Sequence, residues 1–386
     1  MRILLVGEYS RFHNSLKEGL QKLKHDVTLM GRADSFKNYP IDISLEATFF
    51  QKKIPNLFRQ ILFRISTIDI AAFEVAYRFY KHRKSFRNYD VVQLVNEFPI
   101  ETTPFLEQKL LKYIFKHNKK VFLSSCGDDF HYLNYILNTE LPYHILTPYV
   151  NNKNARKNYK YSLKYLSAAH ENLHHFVIQN IQGIIPANFD YEMAYRKHPK
   201  ALPLVPFPIN VDLLKFKSLD YQGKVHIFHG VNQVNYLKKG NDLIEKALEI
   251  ISAKYPNRVE VKTAYSLPYK EYIETYDEAH IIMDQLYGYD QGYNALEAMA
   301  KGKVVFSGAE AAFHKYYNLN KKVVINATPN VDDLVEKLSF LIENPEELLQ
   351  IGKNARAFVE DFHEYERVAK QYVERWRFDS AQRTFI

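Results

Sequence analysis

Between Ala279 and Phe306 the sequence passes from an apolar strand pattern, Ala279 to Met283, into a loop that holds Gly288 and Gly292. A helix pattern follows from Asn294 to Lys301, Gly302 closes it, and Lys303 to Phe306 form a second strand pattern. Strand, glycine loop, helix and strand in this order make a βαβ unit, which commits this part of the chain to a parallel sheet. Such a unit favours an anion at the helix start, where N–H groups and the helix dipole point outward. Glu297 sits one turn inside the helix, within reach of whatever the loop holds. An anion site beside one carboxylate points to a sugar nucleotide.

The same alternation runs through the rest of the chain. Arg2 to Val6 is a buried-strand pattern, followed by Gly7, a polar loop from Glu8 to His13, a helix pattern from Asn14 to Lys24 and a strand from Val27 to Met30. Only Gly7 marks the first turn, so the full G-x-G-x-x-G fingerprint of a dinucleotide site is missing. Asp90 to Val95 and Lys119 to Cys126 read as strands, the second followed by Gly127-Asp128-Asp129. Two acids past a strand end stand where doubly wound sheets keep their chemistry, with at most one facing a ligand. A helix cap with a first-turn acid fits them equally well. His175 to Gln179 and Gly183 to Pro186 read as short strands, and Pro199, Pro203, Pro206 and Pro208 mark an interdomain connection near 205 to 220. The second half restarts with a strand at Lys224 to His229, Gly230, and a loop that reaches Lys238-Lys239-Gly240. A helix at Asn241 to Ala253, a strand at Val259 to Ala264 and a short helix from Pro268 to Tyr276 complete the approach to the βαβ unit. Beyond it come a strand at Val323 to Ile325, a helix at Val331 to Glu343, and a charged helical stretch from Pro345 to about Ser380.

At 386 residues the chain suits two domains. Its net charge of +8 favours an anionic partner without choosing among phosphate, nucleic acid and membrane. No nucleic-acid-binding motif accompanies the charge. Cys126 is the sole cysteine, which excludes an internal disulfide and fits a reducing compartment. The apolar start Met1 to Val6 stops at Gly7-Glu8, too short for a signal-peptide core. No apolar run approaches the roughly 18 residues of a membrane span. The expectation is a cytoplasmic protein, with peripheral contact to the inner face of the membrane left open. Pro55 to Arg87 bears on that point, because Leu57, Phe58, Ile61, Leu62, Ile65 and Ile68 recur at helical spacing among Arg59, Arg64, Arg78, Lys81, Arg83, Lys84 and Arg87. Either a basic amphipathic helix lies on an anionic bilayer, or a helix faces the core with a solvated basic side. A second basic stretch, Lys153 to Tyr165, carries Tyr159, Tyr161 and Tyr165 and extends the same choice.

Chemistry concentrates on Lys238-Lys239-Gly240 and the region of Glu297. A lysine at the end of the loop after the first strand can reach the carboxyl edge of the sheet, and the helix after Gly240 adds N–H donors. Together they suit a diphosphate whose charge grows as a glycosidic bond breaks. Glu297, which only accepts hydrogen bonds when ionised, suits a pair of ribose hydroxyls. The fifteen histidines show no metal-ligand spacing, and no G-x-S-x-G nucleophile motif is present.

With these residues in view, the sequence resembles the GT-B retaining glycosyltransferases of the family 4 type (glycosyl transferases group 1). The resemblance rests on Lys239-Gly240 opening a helix and on Gly292-Tyr293-Asn294-Ala295-Leu296-Glu297-Ala298-Met299-Ala300. Pro208-Ile209-Asn210-Val211-Asp212 is similar to that family's interdomain element, and Glu364 to Phe378 to its closing helix. It implies an α/β protein of two Rossmann-like, doubly wound domains facing a cleft, with a C-terminal helix crossing back to the first. The domains would be 1–207 for the acceptor, 208–363 for the nucleotide sugar, and 364–386 for the returning helix. It further implies transfer of a hexose from a UDP- or GDP-sugar to a cell-surface glycan or lipid-linked acceptor, as in lipopolysaccharide or capsule synthesis. Configuration would be retained, and neither metal nor cofactor would take part.

Carried over by residue, Lys239 would hold the diphosphate and Glu297 the ribose. Gly230, Lys238 and Gly240 would complete the loop after the first strand, while Gly292, Tyr293 and Asn294 would offer backbone donors. Gly7, Glu8 and His13 would face the sugar or acceptor. Three positions depart from the family. Its first acid falls at Tyr289, with Asp290 beside it. Gln233 or Val234 stands where an arginine is expected, leaving Lys238 as the second cation. The histidine usual after a first-domain strand is replaced near Cys126-Gly127, leaving Asp128 or Asp129 to act there. Two alternatives share this reading: a GT-B sugar-nucleotide epimerase, and a non-catalytic subunit that binds a sugar nucleotide.

Overall fold

Ile3, Leu4, Leu5 and Val6 are wholly buried, the side chains of a strand covered on both faces, and Arg2–Val6 (β1) lies inside a parallel sheet. The computed structural model describes residues 1–33, 39–66, 69–265 and 276–377. Its contacts divide the chain into two units. Met1–Tyr135, Ser162–Pro208 and the chain from Tyr365 form the first, and Ile136–Tyr161 with Ile209–Glu364 the second.

In the first unit six parallel strands are ordered β3 (Ile43–Ser44), β2 (Asp26–Gly31), β1, β4 (Val91–Leu94), β5 (Lys120–Ser125), β6 (Gly183–Pro186). Leu4 is flanked by Thr28 and Val92, so the order of strands reverses direction between β1 and β4. Helix α1 (Phe12–Lys22) follows β1 and turns Phe12, Leu16 and Leu20 inward. Next come α2 (Lys53–Ser66), α3 (Ala71–His82), α4 (Pro104–His117), α5 (Phe130–Asn138) and α6 (Ala168–Asn180). Thr103 caps α4 through Leu106 N–H, and Pro104 opens it at the position where a missing N–H costs nothing.

The second unit holds five parallel strands in the order β11 (Ile325–Asn326), β10 (Val304–Ser307), β9 (Ile281–Met283), β7 (Val225–Val231), β8 (Val259–Tyr265). Phe228 lies between Lys262 and Ile282, which puts the reversal of strand order between β7 and β9. The unit's helices include α7 (Asn241–Lys254), α8 (Tyr293–Ala300) and α9 (Val331–Glu343). The last helix, α10 (Tyr365–Arg377), belongs to the first unit. It packs on α1 at Gly19, where a Cβ would stand 2.3 Å from the Tyr365 carbonyl oxygen. Its buried Trp376 donates Nε1–H to Gln93 Oε1 at 2.8 Å.

Four sequence expectations change. His175 to Gln179 is not a strand but the end of α6, because the Ser167 side chain caps that helix and Glu171 occupies its first turn. Residues 55–87 form two helices and a short 3₁₀ turn rather than one continuous helix, and Ile68 lies outside the described residues. The stretch Lys153 to Tyr165 is a broken series of short turns with Tyr159 and Tyr165 buried, so its aromatic rings do not form one outward face. Residues 136–161, expected in the first domain, join the second unit, with Tyr143 stacked on Tyr289. The expected helix from Pro268 lies outside the described residues up to Tyr276, as does the chain beyond Arg377.

Candidate functional site

The carboxyl ends of β7 and β9 flank the reversal in the second unit, the place where open parallel sheets bind ligands. After β7, Asn232 Oδ1 accepts from Val234 N–H at 2.9 Å and starts a tight turn that leads to a short helix, Tyr236–Lys239. Gly240 ends that helix at φ 76°, with Leu286 Cδ1 only 2.9 Å from where a Cβ would be. Leu286 N–H in turn donates to the Lys239 carbonyl at 3.0 Å, so the loop after β9 is hydrogen-bonded to the loop after β7. Lys239 Nζ then meets Asp284 Oδ1 at 2.7 Å, and Ser307 Oγ donates to Asp284 Oδ2 at 3.1 Å. Asp284 is 7% exposed, directly beyond the last residue of β9. The sequence reading did not select it. An acid closing an entirely apolar strand at a sheet's carboxyl edge was the available signal. His229, near the end of β7, is also buried there, and loss of water lowers its pKa to about 4, leaving a neutral ring at pH 7.

Gly292 stands at the start of α8 with no side chain capping it, and the first intrahelical bond runs from Leu296 N–H to Gly292 O at 3.1 Å. Glu297 is half-buried one turn into the helix, Tyr293 is buried and Asn294 is exposed. The loop before α8 is held from beneath. Gln291 is wholly buried and donates Nε2–H to Gly308 O at 2.6 Å, while its Oε1 has no hydrogen-bond partner. At Gly308 a Cβ would lie 2.3 Å from Gly288 O and 2.7 Å from Asp290 N, so only glycine lets the two backbones approach.

Tyr289, where an acid was expected, donates its hydroxyl to the Tyr143 carbonyl at 2.8 Å, and the two rings stack at 5.2 Å. Tyr143 donates its own hydroxyl to Glu310 Oε1. Asp290 is 2% exposed, with Oδ1 accepting from Gln291 N–H at 2.7 Å. Neither side chain is open to solvent in this arrangement. Gly230 lies within β7 opposite Ala264, Lys238 is half-buried on the short helix, and Gln233 and Val234 are exposed.

In the first unit Gly7 turns at φ 83°, with Val95 Cγ1 2.5 Å and Pro99 O 2.8 Å from a would-be Cβ. Glu8 and His13 were expected to face sugar, yet both are shut inside. Glu8 Oε2 accepts from Asn14 N–H and Nδ2–H at 2.8 and 2.7 Å. His13 donates Nδ1–H to Gly7 O at 2.7 Å, and burial lowers its pKa to about 3. These two side chains fix the loop after β1. Asp128 is half-buried and accepts from Ser162 Oγ at 2.5 Å. Asp129 is buried, accepting from Tyr132 N–H at 2.6 Å as the cap of α5 and from the Tyr195 hydroxyl at 2.9 Å. Of the two acids, Asp129 therefore takes the capping role that was the alternative for this pair.

A buried carboxylate–histidine cluster adjoins Asp129. Glu97 accepts from Phe130 N–H at 3.0 Å and meets His174 Nδ1 at 2.7 Å. Burial pushes the Glu97 carboxyl up to about 8, and burial followed by the charge of Glu97 pushes Asp129 up as well. Loss of water pushes His174 down. The folded chain thus keeps protons that the unfolded chain releases from about pH 4 upward, so stability falls as pH climbs toward 8. The lowered His174 works the other way below its ordinary 6.5. Glu97→Gln is expected to flatten the fall in melting temperature between pH 6.5 and 8, at up to about 1.4 kcal/mol per pH unit for one group. Thermal melts of both proteins across that window check it, and parallel slopes would contradict it.

Among the described residues, no group of three or more His, Cys, Asp or Glu side chains is placed to hold a metal ion, and no helix is long and apolar enough to cross a membrane. The two sheets and their helices are the GT-B fold of glycosyltransferases. Sucrose-phosphate synthase from Thermosynechococcus elongatus superposes with a TM-score of 0.59 at 16% identity, over 98% of each chain. HepE from Anabaena, solved in complex with UDP and glucose, gives 0.57 at 11% identity over 97% of this chain and 99% of its own. UDP-GlcNAc 2-epimerase from Neisseria meningitidis, bound to UDP-GlcNAc, gives 0.51 at 13% identity over 97% and 99%. Residues 233–374, which include Lys239, Asp284 and Glu297, match the family model described as glycosyl transferase-like. No curated protein matches the sequence.

Proposed function

We propose that the protein is a glycosyltransferase that takes a hexose from a UDP- or GDP-sugar, bound in the second unit. The observation that carries this is the Lys239–Asp284 pair at the reversal of strand order, in the same sheet edge as the uncapped start of α8. In this reading the diphosphate lies against the Lys239 ammonium and the first-turn N–H groups of α8, and Glu297 accepts from the ribose hydroxyls. Asp284 and Ser307 aim the ammonium, which stabilises the charge that grows on the leaving phosphate. Lys238 adds a second cation near by. Two structural neighbours solved with UDP or a UDP-sugar support the nucleotide class. Retention of configuration and catalysis without a metal follow from the family resemblance, as does a cell-surface glycan or lipid-linked acceptor at the inner face of the membrane. Asp128, the more accessible of the paired acids, keeps the proposed first-unit role.

Incubation of the purified chain with UDP-glucose, UDP-GlcNAc and GDP-mannose tests the donor class. At least one is expected to bind and to release its nucleoside diphosphate slowly, with water as a poor acceptor. Absence of binding and of release with all three would contradict the proposal. A second reading, epimerisation of the donor, is favoured by the epimerase neighbour. Conversion of UDP-GlcNAc alone into its C2 epimer, seen by NMR, would select it.

A further inference from the structure

Helix α2 is built the wrong way round for a helix that packs on a core. At 100° per residue, Ile54, Leu57, Phe58, Ile61 and Ile65 fall within an arc of about 100°, the width of a core-facing stripe. Yet Ile54 and Ile65 are 81% and 78% exposed, and Leu57, Phe58 and Ile61 are 61%, 57% and 46% exposed. None of the described side chains of α2 is buried. What fastens the helix is on its other side. Arg59 makes a two-pronged ion pair with Asp69, Nε to Oδ1 at 2.6 Å and a terminal nitrogen to Oδ2 at 2.5 Å. Upstream of α2, Phe49 and Phe50 N–H donate to Glu74 of α3 at 3.0 and 3.1 Å. The polar side thus holds the helix to its unit, and the apolar side is presented outward.

Charge says what covers that side. From Lys52 to Arg87 the sequence carries nine lysines and arginines against two carboxylates, Asp69 and Glu74, a net +7 in a chain of net +8. Both carboxylates are paired, Asp69 with Arg59 and Glu74 with Arg78. Lys52, Lys53, Arg64, Lys81 and Lys84 are exposed. Helix α3 buries Ala72, Val75 and Phe79 but leaves Phe73, Tyr77 and Tyr80 exposed on its outer side, with the Arg83 guanidinium 3.7 Å above the Tyr80 ring. Apolar side chains, aromatic rings and surplus cations together match the acyl boundary, the interface and the headgroups of an anionic bilayer. A second copy of this chain would bring the same +7 against itself.

We infer that α2 is an in-plane membrane anchor, whose outward face of Ile54, Leu57, Phe58, Ile61 and Ile65 enters an anionic phospholipid surface while Arg59 and Asp69 hold the helix to the protein. The inference stands on this face alone and not on sugar transfer. Nucleotide binding, measured on the same preparations, therefore fails or holds independently of it.

Flotation of the full chain with phosphatidylglycerol-containing vesicles at about 0.1 M salt tests it. The protein is expected to float, to float less with phosphatidylcholine alone, and to lose binding as salt rises. Leu57→Gln with Ile61→Gln should weaken partitioning by about a hundredfold, roughly tenfold for each lost apolar side chain. Its melting temperature should not change, since both side chains are exposed. Leu57→Trp keeps the face apolar and should report insertion as a blue shift on adding anionic vesicles. The inference is overturned if wild type does not float, if the double variant floats equally well, or if no blue shift appears. A wild-type dimer in light scattering that the double variant turns into a monomer would also overturn it, assigning the face to a second copy.

Discussion

Lys239→Ala is expected to lower the rate of sugar transfer by about a hundredfold to a thousandfold, the usual effect of removing one fixed donor to a developing negative charge. The same change should weaken nucleoside diphosphate binding, because the ammonium is aimed by Asp284 and cannot be replaced from the exposed Gln233 or Val234. It also has a structural effect. Asp284 is buried and would keep only the Ser307 hydroxyl, so the variant should lose about 3 kcal/mol of stability, the order seen when one partner of a buried pair is removed. Lys239→Arg should restore most of the stability and only part of the rate, since a guanidinium places its charge differently. Steady-state kinetics beside thermal melts separate the two effects. A Lys239→Ala protein with wild-type turnover would remove Lys239 from the chemistry.

Gly308→Ala should be the most damaging single methyl group near the site. Its Cβ would lie 2.3 Å from Gly288 O and 2.7 Å from Asp290 N, and both are backbone atoms of one loop. That loop is also tied by Gln291 to Gly308 O and by Leu286 to Lys239 O, so displacing it disturbs Lys239 and the start of α8 together. A loss of about 2–3 kcal/mol is expected, with a parallel loss of nucleotide affinity. Gly292→Ala is the contrast. Its φ is −78°, and its nearest neighbour to a new Cβ is Asp284 Oδ2 at 3.8 Å, an ordinary contact. It should change stability by less than about 0.5 kcal/mol. Equal effects of the two substitutions in chemical denaturation would contradict the close backbone approach.

Much of the second unit was legible because its signals are local. Gly240 after Lys239, the apolar strand before Asp284 and the helix from Tyr293 are each set by a few neighbouring residues. The long-range pairings were not. Nothing in the sequence near Tyr143 shows that its ring will stack on Tyr289, 146 residues away, or that residues 136–161 will join the second unit. Spacing alone leaves the acid pair Asp128-Asp129 open between a site role and a cap, and the bond from Tyr132 N–H makes Asp129 the cap. His175 to Gln179 looked like a strand because β-branched and aromatic residues cluster there, yet the capping residue of α6 lies outside that window at Ser167. For α2, periodicity identified the apolar stripe but not its direction. A stripe turned toward a core and one turned toward solvent have the same spacing, and the exposure of Ile54 and Ile65 together with the Arg59–Asp69 pair distinguishes them.

Isothermal titration with UDP and with GDP, each beside its 2′,3′-dideoxy analogue, on wild type and on Glu297→Ala, tests the donor site most directly. On wild type, loss of the ribose hydroxyls should weaken binding about tenfold or more, the order of a hydrogen bond to a charged acceptor. On Glu297→Ala the nucleotide and its analogue should bind alike, because the acceptor that distinguishes them is gone. No binding of either UDP or GDP to the wild-type chain, or the same penalty in both proteins for the nucleotide that binds, would contradict the placement of the ribose at Glu297 and of the nucleotide at α8.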